Sequence, residues 1–261
     1  MTEANDFEAA GPGLYSEWHG EQQPDRRPLL LIHGGGSTIE SNWGALLPEL
    51  SVSRQVLAVE LQGHGHSSEG DRPASFEGSA DAVAAVLRQQ DVPSVDVLGF
   101  SNGGQVALQL AIRHPLLVKR LIVASAPFRR DGMIEGFWAG MEAATFESLP
   151  QLYKDADFKA SGDPGHAERM FSLDREQMLI GFKDVPRAEL QRIEAATLVI
   201  SADHDVVRPA HALELAEIIP NARLLILPGN HGDYLGEVMA AAGDLSAMRR
   251  TLPMILAFLD G

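Results

Sequence analysis

Val95-Asp96-Val97-Leu98-Gly99-Phe100-Ser101-Asn102-Gly103-Gly104 is the stretch that decides how this chain folds. Its first half is a short apolar run of the kind buried as a strand, and from position 102 to 114 apolar residues recur at helical spacing. Between them stands Gly-x-Ser-x-Gly, a turn that holds its serine in a strained backbone conformation, with a glycine two residues to either side where a side chain would clash. Ser101 Oγ is expected to project above a sheet, with the N-terminus of the following helix beneath any negative charge that develops there. The plainer reading is a glycine-rich turn whose serine only caps the helix. Its position directly after an apolar strand favours a nucleophile.

Outward from this turn the same alternation continues. Strands are predicted at 14–19, 28–32, 55–60, 95–100, 120–124, 197–201 and 223–227, and helices at 75–90, 102–114, 209–219 and 245–259. Most of the strands are continuous apolar runs, which suits a parallel sheet covered on both faces. From 128 to 194 the rhythm breaks. Large apolar residues, among them Phe137, Trp138, Met141, Tyr153, Phe171 and Met178, lie on helical-looking pieces interrupted by Pro150, Gly162, Pro164, Gly165 and Pro186. The expected organisation is one α/β core, 1–127 and 195–261, with 128–194 as a helical insertion over one end of the sheet. Most of the insertion's large side chains are expected to fasten it to the body. Trp138 and Met141, with Gly36, are the expected substrate contacts.

Three further stretches carry chemistry. His33-Gly34-Gly35-Gly36 follows the apolar strand at 28–32, and a glycine loop there lets backbone N–H donors approach a developing oxyanion. The expected donors are Gly35 N–H and Asn102 N–H, with Gly36 a weaker candidate. A phosphate loop is disfavoured, since neither Gly-x-Gly-x-x-Gly nor a Gly-Lys-Ser/Thr ending is present. Asp203-His204-Asp205 closes the strand at 197–201, where a carboxylate is needed to orient a histidine base. Asp205 is the better candidate, with Asp203 the alternative. Gly229-Asn230-His231-Gly232 follows the last strand. Histidine suits a general base because its ordinary pKa lies near neutrality, and among the nine histidines His231 is singled out by its loop directly after the last strand and by the chain order Ser, Asp, His expected for this topology.

Taken together, His33 to Gly36, the turn Gln62-Gly63-His64-Gly65-His66-Ser67, the serine elbow, the Asp205 loop and the His231 loop resemble the α/β-hydrolase superfamily over nearly the whole length. The resemblance is to its lidded branch, whose cap lies between the sixth and seventh strands. It implies a mostly parallel sheet of about seven to eight strands, a Ser101–His231–Asp205 triad, esterase-like chemistry through an acyl-enzyme, and neither cofactor nor metal. Serine at the elbow argues against the branches that use an aspartate nucleophile. His33 to Gly36 followed by Asn42-Trp43 is also similar to carbon–carbon bond hydrolases acting on diketone-type ring-cleavage products. Ser37-Thr38 and Gly232 depart from that group, which carries Pro-Gly and tends to carry tryptophan at those places. A receptor without chemistry on the same fold is a third reading.

Composition narrows the partners. A net charge of -15 across 261 residues repels nucleic-acid phosphates and anionic membrane surfaces and favours a small-molecule substrate; separately, a monomer or homodimer is expected. The absence of cysteine excludes a thiolate nucleophile and disulfides. The opening Met-Thr-Glu-Ala-Asn-Asp is acidic where a secretory signal would be basic, so a cytoplasmic location is expected.

Overall fold

A computed structural model describes residues 13–70 and 74–261; the segment read for a targeting signal lies largely outside them. Seven strands form one sheet: β1 (Ser16–His19), β2 (Leu29–Ile32), β3 (Val56–Val59), β4 (Val95–Phe100), β5 (Val118–Ala124), β6 (Ala196–His204) and β7 (Ala222–Asn230). Their order is β1-β3-β2-β4-β5-β6-β7, with β1 antiparallel to β3 and every other pair parallel. This is the α/β-hydrolase fold with its mostly parallel sheet.

Alternate residues of each strand feed two cores. Leu30, Ile32, Val97 and Val123 pack beneath α3 (Phe76–Gln89) and α4 (Asn102–Arg113) through Val83, Leu87, Val106 and Leu110. Leu29, Leu31, Leu98 and Ile122 face the opposite side. There they meet Trp43 of α1 (Ile39–Trp43), Leu46 and Leu50 of α2 (Leu46–Ser51), and Ile255 and Leu259 of the C-terminal helix Ser246–Asp260. Both faces being dry explains why the strands read as unbroken apolar runs rather than alternating ones. Truncating any of these fully buried leucines to alanine costs about 2–5 kcal/mol. The helices α1 and α2 were not among the sequence expectations, because five and six residues are too few to display a period.

Parallel pairing brings the strand ends to one edge. Ile32 pairs with Gly99, Phe100 with Ala124, and Ala124 with Ile200, so the loops after β2, β4, β5 and β6 leave the sheet side by side. The chain moves from β2 to β3 in one direction and then crosses to β4 on the other side. A crevice therefore opens between the carboxyl ends of β2 and β4, where ligands of open α/β sheets bind.

Between β5 and β6 the described chain forms helices and turns: α5 (Phe137–Ala143), α6 (Gln151–Ser161), α7 (His166–Glu176) and α8 (Arg187–Leu190). The resemblance implies this insertion between the sixth and seventh strands; among the seven described strands it follows the fifth. The remaining helices are α9 (Pro209–Ile218), α10 (Val238–Ala241) and α11, the C-terminal helix given above.

Candidate active site

The elbow depends on backbone approaching backbone. A Cβ on Gly103 would lie 2.1 Å from the Ile32 carbonyl oxygen, and one on Gly99 2.2 Å from that of Gly103. With both absent, α4 starts directly over the end of β2 and the chain reverses at Ser101. Ser101 adopts φ 53°, ψ -118°, a region few residues other than glycine occupy, and its side chain caps nothing. The helix-cap reading of Ser101 is thus set aside.

Its hydroxyl points to a histidine. His231 Nε2 is 3.1 Å from Ser101 Oγ, and His231 Nδ1 is 2.7 Å from Asp205 Oδ1. Asp205 is buried and accepts further hydrogen bonds from Ser201 Oγ, the N–H groups of Ala202 and Val207, each at 3.2 Å, and the hydroxyl of Ser125. Tyr234 supports Ser125 from behind, its OH 2.6 Å from Ser125 Oγ. Burial works against a charge on Asp205, but His231 and these donors outweigh it and hold the carboxyl below its ordinary pKa. Asp203 instead accepts from Gly229 N–H at 2.9 Å and makes no bond to His231.

The glycine loop lies against the elbow. A Cβ on Gly34 would meet Ser101 Cβ at 3.2 Å, and one on Gly35 would meet Asn102 Nδ2 at 2.6 Å. Buried polar groups fix the loop. Asn42 Oδ1 accepts from Gly34 N–H at 2.7 Å, and the His33 ring spans Gly34 O at 2.7 Å and Leu61 N–H at 2.9 Å. Because His33 Nε2 must accept that N–H, the ring stays neutral; burial, followed by the proximity of His64, lowers its pKa to about 3. Asn102 opens α4, so its N–H has no acceptor within the helix. Gly35, Asn102 and Ser101 line one cavity.

That cavity, of about 270 Å³, is walled by Met133, Phe137, Met141, Leu149, Phe171 and Met178, with His231 and Ser125 at its base. Of the expected substrate contacts, Gly36 and Met141 line it. Trp138 does not. Its indole N–H donates to Arg130 O at 2.7 Å and its ring packs against Phe182, so it fastens the insertion and its neighbour Phe137 faces the cavity.

The insertion also brings polar groups that no motif marks. Asp174 of α7 accepts from Gly36 N–H at 2.5 Å, from Asn102 Nδ2 at 3.3 Å, and pairs with His64 Nε2 at 3.2 Å. Burial opposes its ionisation, yet His64 and the Gly36 N–H hold its pKa below the ordinary value. Tyr153 of α6 donates to Glu237 Oε1 at 2.9 Å, and burial raises the Glu237 pKa. Arg175 lines the cavity, but its guanidinium donates to the carbonyls of Met141 and Glu142. His64 and His66 diverge: the first meets Asp174, the second the Glu60 carboxylate at 3.0 Å.

A family model described as alpha/beta hydrolase fold matches residues 27–179, more than half of the 261-residue chain. The chain belongs to the α/β-hydrolase family. A 2-hydroxymuconate semialdehyde hydrolase of Pseudomonas sp. (strain CF600) is 31% identical to this hydrolase over 255 residues, covering 82% of this chain and 89% of its own. A pimeloyl-[acyl-carrier protein] methyl ester esterase of Nitrosomonas europaea is 29% identical over 235 residues, covering 79% and 89%. The solved enol-lactonase from Burkholderia xenovorans LB400 is similar in fold, with a TM-score of 0.73 at 21% identity over 95% of this hydrolase and 96% of that chain. Among the described residues of the hydrolase, no helix is long and apolar enough to cross a membrane.

Proposed function

We propose that this hydrolase cleaves a carboxylic ester of a small apolar or aryl acid through an acyl-enzyme on Ser101. The observation that carries the reading is the continuous chain Ser101 Oγ, His231, Asp205, at 3.1 and 2.7 Å, opening into an apolar cavity. Ser101 attacks the carbonyl while His231 takes its proton, and Asp205 holds the imidazole and stabilises its charge. The oxyanion rests on the N–H groups of Gly35 and Asn102. His231 returns the proton to the leaving alcohol, then activates a water that releases the acid. Neither cofactor nor metal enters any step. The helical insertion acts as a cap that walls the cavity receiving the acyl group.

A fluorophosphonate probe tests this directly. Labelling of native protein that disappears in Ser101→Ala is expected; absent labelling, or equal labelling of the variant, refutes it and favours a receptor.

Carbon–carbon bond hydrolysis is the second reading, favoured by the name of the Pseudomonas relative. Gly232 weighs against it. At φ +90°, a Cβ there would lie 2.8 Å from Phe100 Cζ and 3.2 Å from Glu237 Cβ, leaving no room for the tryptophan of that group. Bleaching of a coloured ring-cleavage dienone by the wild type, lost in Ser101→Ala, would establish it.

A further inference from the structure

The carboxylate of Asp174 stands where an ester hydrolase gains nothing obvious from one, on the wall of the acyl cavity beside the oxyanion donors. It comes from the insertion, reaches the core, and occupies the N–H of Gly36, next to the proposed oxyanion donor Gly35. Asn102 Nδ2, on the residue that supplies the other proposed donor, also bonds to it. Three donors converge on this one group, so it is held in place rather than swinging free.

The charges around it are unevenly disposed. His64, its counter-ion, has a side chain only 3% exposed and does not line the cavity, whereas Asp174 does. His33, beneath the same loop, is neutral. Arg175 turns its guanidinium toward the backbone carbonyls of Met141 and Glu142. The end of the Asp174–His64 pair that faces the cavity is therefore the anionic one. The rest of the wall is largely apolar.

We propose that Asp174 is a specificity-determining residue that excludes acyl groups bearing a carboxylate and admits neutral ones. The inference rests on the ester-hydrolase reading above and adds the class of acid that the site accepts. His64 behind Asp174 and the Arg175 guanidinium offset part of its field, so the repulsion is felt by an acyl carboxylate that comes closer to Asp174 than to either cation. Ring-cleavage dienoates, which are carboxylates, fall in the excluded class.

The test compares p-nitrophenyl butyrate with mono-p-nitrophenyl glutarate, each corrected for spontaneous hydrolysis, on wild type, Asp174→Asn and Asp174→Glu. Wild type is expected to favour the butyrate ester by at least about tenfold in kcat/KM. Asp174→Asn is expected to raise the glutarate-to-butyrate ratio at least tenfold, while Asp174→Glu, whatever its absolute rate, keeps the ratio within about threefold of wild type. Equal use of both esters by the wild type overturns the proposal without any variant. A ratio unmoved in folded Asp174→Asn, even with both rates reduced, also overturns it and leaves Asp174 a purely structural tie. Hydrolysis of neither ester, or hydrolysis surviving Ser101→Ala, would instead defeat the ester-hydrolase reading itself.

Discussion

Asp205 Oδ1 lies 2.7 Å from His231 Nδ1, whereas Asp203, two residues earlier on the same strand end, is bonded to Gly229 N–H at 2.9 Å. Alternation would turn residues two apart to the same face, but the pairing shifts register between Ala202 and His204 and the strand ends at His204, so the two acids diverge. Asp205 turns inward among Ser125, Ser201 and Tyr234; Asp203 turns out to brace the loop that carries His231. Asp205→Asn is expected to lower kcat by about 10³- to 10⁴-fold through loss of the correct tautomer. Asp203→Asn should change it only a few-fold. Steady-state kinetics on a p-nitrophenyl ester separates the two, and a larger loss at Asp203 would reverse the assignment.

Acid should destabilise the protein through two buried neutral histidines. His33 and His211 each accept a backbone N–H on Nε2, from Leu61 at 2.9 Å and Phe128 at 3.1 Å, and their pKa values fall to about 3 and about 4. Burial is the main cause at both sites. The unfolded chain takes up protons near pH 6.5 that the folded chain refuses, so this stability is present above pH 6.5 and declines as pH falls toward 4. The slope is up to about 1 kcal/mol per pH unit for each ring. Thermal unfolding between pH 7.5 and 5 should show the decline, and His211→Gln should make it shallower. An unchanged slope in that variant would contradict the assignment.

Gly103→Ala should be among the most damaging single substitutions. The added methyl would sit 2.1 Å from Ile32 O and 2.4 Å from His33 O, both backbone atoms that move only if α4 lifts off β2. A loss of about 3 kcal/mol or more, or failure to fold, is expected. Chemical denaturation compared with Gly140→Ala, where the methyl meets nothing within 4 Å, checks it.

Tyr153→Phe removes the hydroxyl that donates to Glu237 and leaves a largely buried carboxylate short of a partner. A loss of about 1–3 kcal/mol is expected, as a lower Tm and a raised KM with kcat little changed. A fall in kcat at constant KM would instead give Tyr153 a role in the chemistry.

An apolar cavity of about 270 Å³ predicts rising kcat/KM from p-nitrophenyl acetate to medium-chain esters, with the gain reduced in Phe171→Ala. A preference for acetate with no gain on lengthening would contradict the cavity's part in acyl binding.

The sheet was legible because its strands are dry on both faces and read as apolar runs; even so, β6 and β7 extend several residues past the runs, into Asp203 and Asn230, where polar residues continue the pairing. Ser101 and His231 were legible because each sits on a short loop directly after a strand. The choice between Asp203 and Asp205 was not, since two acids on one loop differ only in direction. Asp174 was invisible for another reason. It is 138 positions from Gly36, in a helix whose pattern gives no cue that one of its acids leaves the solvent. Trp138 misled because an aromatic in such a segment serves equally to line a cavity or to fasten a helix, and here its indole N–H found a carbonyl on the fastening side.

Ser101, Asp205 and His231 are all carried on loops of the sheet, while Asp174, Tyr153 and Phe171 arrive on the intervening helices. On the proposed reading, bond-making and molecular selection are thus written on separate passages of the gene. Transplanting the passage between β5 and β6 from another member of the family is then expected to exchange the guest list of the cavity while leaving Ser101 untouched.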